Sequence, residues 1–154
     1  MKLTPTDKRI MDRMAPGALC GEGFLGLDHR DLTEIVQADA AAVDSLGLTH
    51  EQLGHALEEV RQAATAGLGT PVAVGQGLTA VLREAMGPIA CPWGGCGVFD
   101  KGEVELTGGG RRIRFTPLSV HLIFRHGFYQ GRGSRYRIAP PELARMLGVT
   151  PTSR

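Results

Sequence analysis

The sequence has no apolar run approaching the ~18–20 continuous residues that a bilayer span needs, so a membrane-spanning chain is not expected. The opening residues, Met1-Lys2-Leu3-Thr4-Pro5-Thr6-Asp7, are polar and no apolar run follows them, so no signal peptide is expected either. Cysteine is scarce. The three present are an odd number, which fits a reducing cytoplasm better than a disulfide scaffold. Excess charge of one sign is also missing, with a net charge of only +1. At 42% apolar and 21% charged the chain is not disordered by composition, and 154 residues suffice for one ordinary domain with a real core.

The small net charge hides an uneven distribution. Residues 1–90 carry 7 Lys and Arg against 12 Asp and Glu, whereas residues 91–154 carry 10 against 4. The C-terminal part is therefore suited to an anionic partner, or the two halves attract each other.

Helical signals dominate the first half. Thr4 before Pro5 is a cap and first-turn pair for a helix over 5–14, with Leu3, Ile10, Met11 and Met14 as its apolar side. Asp28 reads as the N-cap of a second helix that stops at Gly47, with Leu32, Ile35, Val36, Val43 and Leu46 at helical spacing and Asp31, Glu34, Asp39 and Asp44 on other faces. Thr49 and Gln52 form a capping box, and Leu48 and Leu53 a hydrophobic staple, for a third helix running to Gly67. The acids on this helix pair oppose phosphate, which argues against a DNA-reading helix-turn-helix. His50 and His55 read as boundary or surface residues. Gly75-Gln76-Gly77-Leu78-Thr79-Ala80 matches G-x-G-x-x-A, but the crossover and the acidic residue a dinucleotide fold requires are missing. The segment is expected to open a packed helix carrying Leu78, Val81, Leu82 and Ala85 and ending at Gly87.

The second half is organised by Cys91-Pro92-Trp93-Gly94-Gly95-Cys96, a glycine-rich turn with a thiol at each end. After it, Glu103-Val104-Glu105-Leu106-Thr107 and Arg112-Ile113-Arg114-Phe115 alternate around Gly108-Gly109-Gly110. A two-residue Gly109-Gly110 turn sets Leu106 opposite Ile113, Val104 opposite Phe115 and Glu105 opposite Arg114; a three-residue turn would set Glu105 against Ile113. Thr116 and Pro117 then start a helix that Gly127 ends, with His121 and His126 on it. The cysteine pair and the histidine pair each have metal-ligand spacing, so Cys91, Cys96, His121 and His126 are the candidate metal ligands, with zinc the expected ion. Two histidines five apart sit about 140° around an ideal helix at about 100° per residue, so their convergence is expected to need a tightened or unwound last turn.

The order of turn, hairpin and helix is similar to that of Cys2His2 zinc fingers, which implies a structural zinc. The 24 residues between Cys96 and His121 are twice the ~12 of that pattern, so the finger's base-reading helix does not carry over. Two other readings stand beside metal binding: ordinary buried thiols and polar histidines, or Cys–His thiol chemistry.

From Arg111 to Arg137 there are seven arginines and no acid, with Phe115, Phe124, Phe128, Tyr129 and Tyr136 interleaved. Arg125, Arg132, Arg135 and Arg137 are the candidate anion-binding set. The alternative is that these arginines pair with the acidic N-terminal helices while Phe128 and Tyr136 anchor the core. A last helix is expected over 141–147 before Gly148, and residues 150–154 as a frayed tail.

The expected architecture is α+β: a helical part over 1–89 and a Cys/His hairpin-and-helix module over 90–154, as one compact domain. The expected function is that of a zinc-stabilised cytoplasmic binding protein whose basic face meets a nucleic acid or other acidic partner. The alternative is a small enzyme using a Cys–His pair or an open metal site. The sequence specifies no oligomeric state.

Overall fold

A computed structural model describes residues 3–151; of the expected C-terminal tail, residues 152–154 lie outside that range. The fold is α+β, with five helices and two antiparallel sheets among the described residues. None of these helices is long and apolar enough to cross a membrane.

Helix α1 (Pro5–Met14) is capped by Thr4, whose hydroxyl accepts from the Asp7 amide at 3.0 Å, and it buries Ile10 and Met14. Helix α2 (Leu32–Ser45) begins later than Asp28, with Asp31 at the N-cap. The Asp28 carboxylate is used in the preceding loop: it accepts from the Arg30 amide and guanidinium and, across the molecule, from the Arg132 amide. Helix α3 (His50–Ala66) carries the full Thr49–Gln52 capping box, and Leu48 and Leu53 are both buried in the main core.

The segment expected as a helix after Gly77 is a strand. Gly75, Gln76 and Gly77 all have positive φ, which folds them into a turn between β1 (Val72–Ala73) and β2 (Thr79–Arg83). The spacing of Leu78, Val81, Leu82 and Ala85 fits a helix, but Leu78 and Ala80 alternate equally well as a buried strand face. The partner strand settles the choice, because β2 pairs along its whole length with β5 (Glu103–Gly108). The N-terminal segment thus holds strands as well as helices and shares its sheet with the C-terminal one.

That sheet has the order β1-β2-β5-β6 and ends on β6 (Arg111–Phe115). The β5–β6 register is the one parity selects, with Val104 opposite Phe115, Glu105 opposite Arg114 and Leu106 opposite Ile113. Gly109 and Gly110 both take positive φ in the two-residue turn. The buried sheet face packs with Leu53, Leu57, Val60 and Ala64 of α3 and with Leu143, Ala144 and Met146 of α5 (Pro140–Leu147) in one core. A smaller hairpin, β3 (Pro88–Ala90) with β4 (Val98–Asp100), carries the cysteine turn as its loop. Helix α4 (Pro117–His126) follows β6, with a capping box between Thr116 and Ser119. A second apolar cluster joins α1, α2 and α4 to Phe24, Phe128 and Cys91.

Candidate metal centre

The centre is built from two elements distant in sequence. The loop of the β3–β4 hairpin supplies Cys91 and Cys96. Gly94, Gly95 and Gly97 all have positive φ there, so the chain reverses sharply enough to bring the two thiols to one side. Helix α4 supplies His121 and His126. Gly127 takes the left-handed conformation and its amide donates to the Ile123 carbonyl, an αL cap, while the Phe128 amide donates to Leu122. The helix stays α-helical through His126, so the expected unwinding of its last turn does not occur. The two imidazoles approach through their side chains instead, with ring centroids 5.2 Å apart and planes at 80°.

One ligand atom from each of Cys91, Cys96, His121 and His126 lies within 4.8 Å of every other. The His126 Nε2 is 3.5 Å from the Cys91 sulfur and 3.7 Å from the Cys96 sulfur. All three cysteines are free thiols. Among the described residues this is the one Cys/His/acid group compact enough to hold a metal ion. The His121 Nε2 is a buried nitrogen without a hydrogen-bond partner, and it is unique in this among the described side chains. Such orphaned groups are costly and call for an explanation.

The surroundings hold the ligands in place. Trp93 stacks on His126 at 4.2 Å and 8°, and Phe99 lies against His121 at 4.6 Å. Arg13, from α1, donates to the backbone oxygens of Pro92 and Trp93 and clamps the cysteine turn. Burial pushes the Cys91 thiol up to about 11, although the Trp93 and Gly94 amides oppose this. Burial also pushes the His126 imidazole down to about 4, helped by His121 and Arg125. His121 is lowered for the same first reason. The imidazoles are therefore neutral and ready to ligate near neutral pH, whereas a metal must displace the Cys91 proton.

The sequence pointed to all four members of the Cys/His cluster but not to Arg13, Phe99 or the stacking of Trp93. Trp93 was visible only as a residue within the cysteine turn, and nothing local distinguishes Arg13 from any other arginine in a last helical turn.

The four candidate anion-binding arginines differ in their surroundings. Arg137 makes a two-pronged pair with Asp39 of α2, at 2.6 and 3.0 Å, and also donates to the Gln130 carbonyl. Asp39 is only 5% exposed, so this acid, placed by the sequence on a face other than the apolar one, is one half of a buried ion pair. Arg135 pairs with Glu103 at 2.8 Å, and the Tyr136 hydroxyl donates to the same carboxylate. Arg125 and Arg132 are exposed and have no carboxylate partner among the described residues. Arg125 borders a groove with Thr49 and His50, while Arg135 borders a separate cleft with Phe24 and Leu118. Arg112 and Arg114 face Glu105, the latter at 3.2 Å, as cross-strand partners.

No protein-family model, no curated protein and no solved structure matches this chain.

Proposed function

We propose that Cys91, Cys96, His121 and His126 bind one zinc ion in a closed structural site, and that the domain it staples is a non-enzymatic cytoplasmic binding protein. Its basic C-terminal face would meet a nucleic acid or another acidic partner. The observation that carries the metal reading is the clustering of two sulfurs and two imidazole nitrogens within 4.8 Å. In a tetrahedral zinc site a sulfur and a nitrogen on the same ion are about 3.5 Å apart, given Zn–S near 2.3 Å and Zn–N near 2.0–2.1 Å. The distances of 3.5 and 3.7 Å from His126 to the two sulfurs match this. An ion bound through the Nε2 of His121 would also give that orphaned nitrogen a partner. Four protein ligands leave no open coordination position, which favours a structural over a catalytic metal. Free thiols throughout fit a reducing compartment.

The partner reading rests on Arg125 and Arg132, whose charges no described carboxylate neutralises. Elemental analysis of the purified protein, with zinc titrated against a chromogenic chelator, tests the first part. One zinc per chain, lost in Cys96→Ser, is expected. Absence of stoichiometric metal together with unchanged stability in Cys96→Ser would sink it. A gel-shift assay with RNA and DNA at two salt concentrations tests the second part. Binding should weaken as salt rises and in the Arg125→Ala/Arg132→Ala double variant; no binding at low salt removes nucleic acid as the partner.

A further inference from the structure

A cleft of about 240 Å³ lies between the Cys20–Phe24 loop, the start of α4 and the Gln130–Tyr136 loop. Its apolar walls are Phe24, Ile89 and Leu118, all part of the apolar cluster that contains Cys91. Its polar rim includes Lys101, Gln130 and Arg135, with one carboxylate, the exposed Glu22, on the same lining.

Three features set this cleft apart from a packing defect. Gln130 is not glycine, yet it holds φ at 70° and is only 3% exposed. Residues held in the left-handed region persist where their surroundings over-determine them, and they cluster at binding sites. Here Ser134 donates to the Gln130 side-chain oxygen at 2.7 Å and Arg137 donates to its carbonyl at 3.0 Å. These bonds leave its side-chain NH2 without an acceptor among the described residues, on a residue that lines the cleft. The second feature is that Arg135 and Tyr136, both on the lining, are already engaged by the buried carboxylate of Glu103 behind them. The third is Lys101, half-buried on the rim, which no described carboxylate pairs with. An apolar floor with a free amide donor and a free ammonium at its edge suits a molecule that is greasy at one end and anionic at the other. Ligand pockets commonly run to about 300–1,000 Å³, so the space admits a small molecule and excludes a dinucleotide.

We propose that this cleft binds a small amphiphilic carboxylate, with the apolar body against Phe24, Ile89 and Leu118 and the carboxylate on Lys101 and the Gln130 amide. The site uses none of the four Cys and His side chains of the candidate metal centre and neither Arg125 nor Arg132, although Ile89 and Leu118 belong to the apolar cluster that contains Cys91. Lys101 supplies a charge-assisted hydrogen bond that a neutral analogue cannot use.

The test is a titration of isotope-labelled, full-length protein with phenylacetate and with phenylacetamide, followed by two-dimensional NMR, with metal content measured on the same sample. Phenylacetate should shift amide resonances in 20–24, 85–89 and 130–136, and phenylacetamide should bind roughly tenfold more weakly. Lys101→Met should bring phenylacetate to the level of the amide. Ala85→Trp, at an exposed position on the cleft wall, should abolish binding of both while leaving the remaining spectrum intact. The proposal is overturned if phenylacetate shifts none of these resonances up to its solubility limit. Equal binding of acid and amide, or binding that survives Ala85→Trp, overturns it as well. Phenylacetate binding in a sample without zinc would leave the cleft standing and remove the metal reading; zinc without binding would do the reverse.

Discussion

The two apolar clusters are held together by different means. The larger one is a sheet face against α3 and α5, with Val104, Leu106, Phe115, Leu53 and Leu57 all buried. Its stability comes from area removed from water and from regular pairing, and it needs no ligand. The smaller cluster lies under loops, where α1, α2 and α4 meet the cysteine hairpin. Its hairpin strands are short, three residues each, and the loop between them contributes Trp93 as its one large apolar side chain beside the two thiols. There the four-ligand cluster, the Arg13 clamp and the Trp93–His126 stack replace what regular packing supplies elsewhere. A metal bound at the Cys/His cluster would add its binding energy to the folding of this region and not to the sheet core.

Metal removal should separate the two clusters most sharply. Chelation is expected to lower stability by upward of about 4 kcal/mol, the linkage energy at a metal concentration 1,000 times Kd. Hydrogen exchange should show the loss concentrated in 88–100 and 117–128, with β2, β5 and β6 still protected. Uniform loss of protection across both clusters would break the comparison. Next in size, Phe115→Ala in the large core is expected to cost about 3–4 kcal/mol by denaturant unfolding, equally with and without metal. Asp39→Asn should cost about 3 kcal/mol, because it leaves the Arg137 guanidinium half-buried without its counter-charge; the double variant with Arg137→Met should recover part of that loss.

A smaller effect should appear with pH. The Cys91 thiol, pushed up to about 11, keeps its proton throughout the neutral range in the metal-free protein. Metal binding releases that proton, so affinity should fall at least about tenfold, or about 1.4 kcal/mol, for each unit of acidification. His126, pushed down to about 4, stays neutral above that value and adds no further release near neutrality. Its depressed folded value lies below the unfolded one, so the unfolded chain binds the extra proton first. Metal-free stability should therefore decline as pH falls from about 6.5 towards 4. Chelator competition at several pH values, with thermal unfolding of the metal-free protein, checks both statements.

Local chemistry made much of this legible. The β5–β6 register followed from parity, since slipping Leu106 against any neighbour of Ile113 would turn an acid inward. The Thr49–Gln52 box and the Gly127 cap followed from hydrogen bonds that each helix end must find for itself. The four side chains that the structure gathers into one Cys/His cluster were picked out by residue type and spacing. Strand β2 was not legible, because four apolar residues at helical spacing can also supply a buried strand face and only the open side of β5 decides between them. The start of α2 was misplaced because Asp28 and Asp31 are both competent caps, and the loop containing Arg132 recruited the first.

Which side chains can ligate, how each helix ends and how the main hairpin is paired are written within a few residues of sequence, where bonding needs are local. Whether His121 and His126 reach one ion was left open by a helix that places them about 140° apart. The cysteine hairpin, folded over the end of α4 and clamped from α1, brings a ligating atom of each of them and of both cysteines within 4.8 Å of one another. The burial of Asp39 was likewise a tertiary decision, because its counter-charge, Arg137, arrives from 98 residues away and no local pattern can carry that information.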